Sequence, residues 1–203
     1  MTMNQQLTAI IVHDVKNALG ALEAQLSALT TDLHQEQAVQ AHATCVALRE
    51  KLIAFLTLYK AEEQGLVARI EAVSPDDFLR ELIRHHVSAR PELTLSMVGD
   101  AMPAIAFFDE NLLGLALNAA LQNATRFAKS RIEIGCKKTG SDIVFTIQDD
   151  GPGLGTTEEK PSTGLGMSLC AAIAHAHQNE NRHGSVQLET HADGGALFSL
   201  RLP

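Results

Sequence analysis

The sequence predicts an α+β protein in two parts: an N-terminal helical hairpin that forms a dimeric four-helix bundle, then an α/β sandwich. Three observations predict it. Two long stretches carry apolar residues at helical spacing, a glycine-marked break follows at Gly65, and beyond it short strand-like runs alternate with helix-like ones. The boundary falls at residues 1–64 and 65–203.

Residues 4–32 contain no Pro and a single Gly, and Ile11, Val15, Ala18, Leu22, Leu26 and Leu29 recur at steps of three and four. The polar segment Thr30–Gln37 supplies the turn. A second stripe runs through Ala41, Cys45, Leu48, Leu52, Phe55 and Tyr59. A lone hairpin cannot bury both stripes, so a homodimer is expected. After Gly65, Ser74-Pro75-Asp76-Asp77 reads as an N-cap, a first-turn Pro and first-turn acids, opening a helix to about Val87. Strands are expected at 92–98 and 104–108, a helix over Asp109–Ala128, and strands at 131–137 and 142–148. A Gly-rich loop follows over Asp149–Gly166, then a helix to about His177 and strands at 185–190 and 196–202.

Composition narrows the function. Of 203 residues, 45% are hydrophobic and only 4% aromatic, so the core rests on aliphatic residues and favours helix-rich packing. A net charge of −8 argues against nucleic-acid binding, which needs a basic footprint. No apolar run approaches the ~20 residues of a membrane span, and the first residues carry no signal-peptide pattern. Cys45, Cys136 and Cys170 are an odd set without CxxC spacing, which excludes a disulfide framework and a zinc site and fits a cytoplasmic location.

Four places carry chemistry. His13 lies two positions after Ile11, a helical rotation of roughly 200°, which takes it off the apolar stripe beside Lys16 and Asn17, with Asp14 adjacent. An exposed imidazole is a nucleophile towards phosphorus, and a neighbouring carboxylate can orient it. On spacing alone, a solvated surface histidine is the more frequent outcome of such a pattern. Asp149-Asp150-Gly151-Pro152-Gly153 follows a strand. It fits either an ordinary acidic turn or a carboxylate that accepts from an exocyclic amine while bare backbone admits a flat ring. Thr163-Gly164-Leu165-Gly166 opens a helix, whose free N–H groups suit phosphate, or is simply a flexible loop. Asn123, with Arg126 one turn on, interrupts a strongly apolar helix; its amide fits structural hydrogen bonding or magnesium ligation.

Taken in order, HDVKN, LQNATRF, DDGPG and STGLGMSL resemble the H box, N box and two glycine boxes of the two-component histidine kinase core, and GGALFSLRLP resembles its final strand. The resemblance covers nearly the whole chain, as a dimerisation and histidine-phosphotransfer hairpin followed by an ATP-binding domain of the histidine-kinase ATPase type. It implies that His13 is phosphorylated, that Asp14 acts as general base or orienting acid, and that Asn17 aligns water for phosphatase action. It further implies that Asn123 ligates Mg2+ and Arg126 lies near the ATP phosphates. Asp149 would read the adenine amine, with Gly151 and Gly153 shaping its pocket and Gly164 and Gly166 closing over the phosphates. The implied function is ATP-dependent autophosphorylation of His13 and transfer to an Asp of a response-regulator receiver domain. The sequence departs from the family at Ala119, where a second Asn is usual, at Ser162, where a Gly is usual, and in the short, Phe-free loop Leu154–Pro161. Those departures point to an alternative, a histidine phosphotransferase that relays phosphoryl groups between receivers without using ATP. A third reading is an interaction protein without phosphate chemistry. Hairpin plus nucleotide domain account for all 203 residues, so input is expected from another protein or from the phosphorelay itself.

Overall fold

A computed structural model describes residues 3–31, 34–86, 92–99, 101–154, 164–191 and 194–203, with the side chains of 3–11, 31 and 85 undescribed. The chain divides into two compact units, Met1–Tyr59 and Lys60–Pro203.

The first unit is helical: α1 spans Met3–Thr31 and α2 Gln35–Gln64, the latter running past the unit's end. The turn is shorter than the polar segment Thr30–Gln37 suggests, because α1 continues through Thr31 and α2 starts at Gln35. Val12, Val15 and Leu19 of α1 and Leu52 and Phe55 of α2 line a shared groove of about 530 Å³. Only part of the apolar stripe is covered. Ala41 and Leu48 are buried, whereas Leu26, Cys45, Leu52 and Tyr59 are exposed. Ile11, the first residue of the expected stripe, has no described side chain.

The second unit is an α/β sandwich. Its sheet runs β2 (Thr94–Val98), β4 (Arg131–Thr139), β5 (Asp142–Asp149), β9 (Ala196–Leu202), β8 (Ser185–Thr190), with β2 parallel to β4 and the remaining pairs antiparallel. Register sets the faces. Ile134 opposes Ile147, which opposes Phe198, and Cys136 opposes Phe145, which opposes Leu200. All six are buried. Alternation along β5 puts Phe145, Ile147 and Asp149 on this same face, so Asp149 is the polar end of an apolar row. Burial pushes the Cys136 thiol up to about 12, and the same holds for Cys170, whose Sγ–H donates to the Ala116 carbonyl at 3.3 Å.

Helices α3 (Pro75–His86), α4 (Glu110–Phe127) and α5 (Leu165–Ala176) cover that face. The Ser74 hydroxyl accepts from the Asp77 amide at 3.4 Å, with Pro75 at the first helical position; Val87, the expected helix end, lies outside the described residues. Phe78 of α3, Phe108 and Phe145 form an aromatic cluster with centroids 5.3, 5.4 and 6.1 Å apart. Among the described residues, four short strands lie outside the main sheet. The segment after Gly65 contains β1 (Glu71–Val73), paired with β3 (Ala106–Phe108), and β6 (Gln178–Asn179) pairs with β7 (Arg182–His183).

Candidate nucleotide and phosphoacceptor sites

The nucleotide candidate lies at the end of β5. Asp149 is 6% exposed, and its Oδ1 accepts the amides of Gly151 at 2.8 Å and Ala196 at 3.3 Å. Among the described residues these bonds occupy one oxygen and leave Oδ2 for a ligand donor. The backbone beside it is closely packed. A Cβ on Gly151 would stand 2.5 Å from the Phe127 carbonyl oxygen, at the end of α4. A Cβ on Gly195 (φ 83°) would fall on the Asp149 carbonyl. Bare backbone is therefore required on both sides of the carboxylate.

Asp150 has a different task from its neighbour. Its carboxylate accepts the amides of Lys129 (2.8 Å) and Ser130 (3.1 Å) and the Ser130 hydroxyl (2.6 Å), pinning the α4–β4 turn. Burial tends to raise its pKa, but the bonds from Ser130, Arg131 and Lys129 outweigh it and hold the group far below the usual carboxylate range.

Helix α4 links the other motifs. Its buried stripe is Leu113, Ala116, Leu117, Ala120, Leu121 and Ala124, which leaves Asn123 exposed at the helix surface rather than in the core. Arg126 is exposed too, its guanidinium 5.1 Å from the Phe127 ring centroid. Gly166 lies beside Ala119, one turn before Asn123: a Cβ there would stand 3.9 Å from the Ala119 Cβ. Gly164 caps α5 with φ 68° and, as a glycine, brings no side chain to the start of the helix. Gly151, Asn123 and Gly166 are thus arranged along one helix, with Gly153 (φ 80°) at the loop's far end. Thr163, Ser162 and the rest of 155–163 lie outside the described residues.

The donor set fits a nucleotide: a buried carboxylate for an amine, glycine backbone for a flat ring, and a helix N-terminus for phosphate. For magnesium, Asn123 offers a neutral amide oxygen, and no cluster of three or more His, Cys, Asp or Glu exists among the described residues. That suits an ion held mainly by phosphates and water.

On α1, the His13 side chain is 71% exposed. Asp14 Oδ1 stands 3.6 Å from His13 Nδ1, and Asn17 Nδ2 stands 3.3 Å from Nδ1 and 3.4 Å from Nε2. The spacing argument's polar face is present, with Lys16 exposed beside them.

Residues 108–203 match the family described as Histidine kinase-, DNA gyrase B-, and HSP90-like ATPase. A helical pair followed by this ATPase domain is similar to the core of two-component histidine kinases. A similar curated protein is the heme sensor protein HssS of Staphylococcus aureus (strain JH9), 23% identical over 99% of this chain; the chain spans 47% of that relative's length. Among solved structures, the Acinetobacter baumannii histidine kinase AdeS covers 94% of this chain and 96% of its own at TM-score 0.74 and 19% identity. The histidine kinase ThkA, solved in complex with the response regulator protein TrrA, covers 98% of this chain and 61% of its own at TM-score 0.67 and 15% identity. These likenesses establish the histidine kinase ATPase fold. Among the described residues, no helix is long and apolar enough to cross a membrane.

Sequence reasoning passed over three site residues. Thr190, Gly195 and Ala196 reach the DDGPG loop from the β8–β9 turn, about 40 residues downstream. The only local signal was the glycine pair Gly194-Gly195 before the last strand.

Proposed function

We propose that the chain is the catalytic core of a cytoplasmic histidine kinase that binds ATP with Mg2+, phosphorylates His13 and passes the phosphoryl group to an Asp of a response-regulator receiver domain. The observation that carries this reading is the buried Asp149, with Oδ1 tied to two backbone amides and Oδ2 left to accept an exocyclic amine.

Asp149 selects the base, Gly151 and Gly153 shape the ring's bed, and the amides at the start of α5, with Gly164 and Gly166, receive the phosphates. Arg126 adds positive charge near them. Bound magnesium supplies neutralisation of phosphate charge, and Asn123 is the side chain that would hold it. At His13, Asp14 beside Nδ1 favours the tautomer with its proton there, which leaves the Nε2 lone pair to attack. The N–P bond forms as the bond to the leaving ADP oxygen breaks, and Asp14 takes the Nδ1 proton. Asn17 stands close enough to both ring nitrogens to orient water for a separate, hydrolytic phosphatase action.

The ThkA–TrrA complex supports a receiver as partner. The homodimer is supported by Leu26, Leu52, Leu56 and Tyr59, each 37–59% exposed on the hairpin. Light scattering should find a dimer that Leu56→Glu dissociates, and a wild-type monomer contradicts it.

Ala119 favours a second reading. It stands beside Gly166 where a second Asn would otherwise face the phosphates, and a chain without ATP turnover would act as a phosphotransfer intermediate. Calorimetric titration with ADP and Mg2+ tests the first reading. The wild-type chain should bind and Asp149→Asn should not, with both remaining folded; a wild-type chain that binds no nucleotide removes it.

A further inference from the structure

We propose that the β8–β9 turn is a clamp that positions the nucleotide loop, and that Thr190 is its positioning residue. This rests on the nucleotide reading of Asp149 given above.

The segment Asp149–Leu154 has little means of holding itself. It contains two glycines and a proline, its side-chain bonds within the loop amount to the one from Gly151 to Asp149, and it must present a carboxylate to a flat ring with tolerance on the order of 0.5 Å. Support comes from two sides. On one side, Asp150 is fastened to the α4–β4 turn through Lys129 and Ser130.

On the other side stands the β8–β9 turn, which closes on itself when the His191 amide donates to the Gly195 carbonyl at 3.0 Å and the Gly194 amide donates to the His191 carbonyl at 3.0 Å. The closed turn touches the loop along its length. His191 Nδ1 lies 3.1 Å from Gln148 Nε2, just before the loop. The Ala196 amide donates to Asp149 Oδ1, and the Gly195 Cα lies against the Asp149 carbonyl. At the loop's exit the Leu154 amide donates to Thr190 Oγ1 at 3.1 Å, and the Thr190 methyl packs on the Gly153 Cα, where a Cβ would come within 2.9 Å.

Of these ties, the Thr190 hydroxyl is the side-chain tie made to the loop's own backbone from the turn. Thr190 is exposed and lies on the last residue of β8, so losing its hydroxyl leaves the core untouched. Its effect on nucleotide is indirect: it holds Gly153 and Leu154, and through them the bed beside Asp149.

The test compares the wild-type full chain with Thr190→Val, which keeps the shape and loses the hydroxyl, and Thr190→Ser, which keeps the hydroxyl. ADP affinity with Mg2+ is measured by calorimetry, and exchange of the Leu154 amide by NMR without nucleotide. Thr190→Val should bind ADP about five-fold more weakly, the loss of one ordinary hydrogen bond, and its Leu154 amide should exchange faster. Thr190→Ser should restore both. A purely structural role would instead lower the unfolding midpoint and leave ADP affinity equal. Equal ADP affinity in all three chains, or Leu154 exchange unchanged by Thr190→Val, overturns the clamp while the nucleotide reading stands. A wild-type chain that binds no ADP overturns the nucleotide reading, and the clamp's role with it.

Discussion

His177 Nε2 accepts the backbone N–H of Asp109 at 3.0 Å across 68 residues of sequence. An amide can only donate, so Nε2 is the bare nitrogen and the proton sits on Nδ1, which donates to the Ile173 carbonyl at 2.8 Å. Asp109 in turn caps α4 by accepting the Leu112 amide at 2.9 Å, and its other oxygen accepts the Arg69 amide at 2.8 Å. The end of α5, the start of α4 and the segment before β1 therefore meet at one buried imidazole. Burial lowers the His177 pKa, against smaller opposing effects of the Ile173 carbonyl and the Asp109 charge. The depressed group binds its proton in the unfolded chain first. Its stabilising contribution is full above the unfolded value near 6.5 and is lost as pH falls through the folded value. His177→Ala should cost about 3 kcal/mol in denaturant unfolding, because it leaves a cavity and an orphaned Asp109 amide. It should also flatten the fall in stability below about pH 6.5.

Asp150 gives a second, more acidic dependence. Its pKa is depressed, so its contribution is full above the unfolded value near 3.8 and is lost as pH falls on through the lower folded value. Asp150→Ala should destabilise the ATPase unit by about 2 kcal/mol at neutral pH, discounted for its partial exposure, and by somewhat less at about pH 3, where the unfolded carboxyl is largely protonated but the folded one is not. Thermal unfolding at the two pH values reads the difference.

Much of this was legible in the sequence, and the residues show why. The strands 185–190 and 196–202 were readable because alternation along a half-buried strand is a local signal. Helix α4 was readable from its apolar stripe, while the role of Asp109 as its cap came only with the structure. The three-residue β1 was not, because Glu71–Val73 becomes a strand only through its pairing with Ala106–Phe108, over 30 residues on. In the site, Asp149 was marked by the glycines around it. Nothing local separates Asp149 from Asp150, and only the turn at Ser130 assigns the second aspartate a structural task. Thr190 and Gly195 carry no chemistry of their own; their part in the site exists only through contacts with residues about 40 positions earlier. Asn123 reads as an interruption of a buried helix, but the stripe passes to either side of it and leaves it exposed.

Gly166 separates function from folding. It lies within α5, exposed, with room for a methyl group at ordinary contact distance from Ala119. Gly166→Ala should raise stability by about 0.5–1 kcal/mol, as expected for replacing a helical glycine. It should weaken ATP binding where phosphates approach the backbone. Paired unfolding and nucleotide titrations check this, and unchanged affinity would place the phosphates elsewhere.

The central claim is phosphorylation of His13 from ATP. Because the imidazole is 71% exposed, His13→Gln should leave the unfolding free energy within about 0.5 kcal/mol of wild type, so any loss of labelling is chemical. The decisive measurement is incubation of the purified chain with γ-labelled ATP and Mg2+, followed by acid and base treatment of the labelled protein. The account predicts an acid-labile, base-stable label on the wild-type chain and none on His13→Gln. An unlabelled wild-type chain that nevertheless takes up phosphate at His13 from a phosphorylated receiver would contradict it.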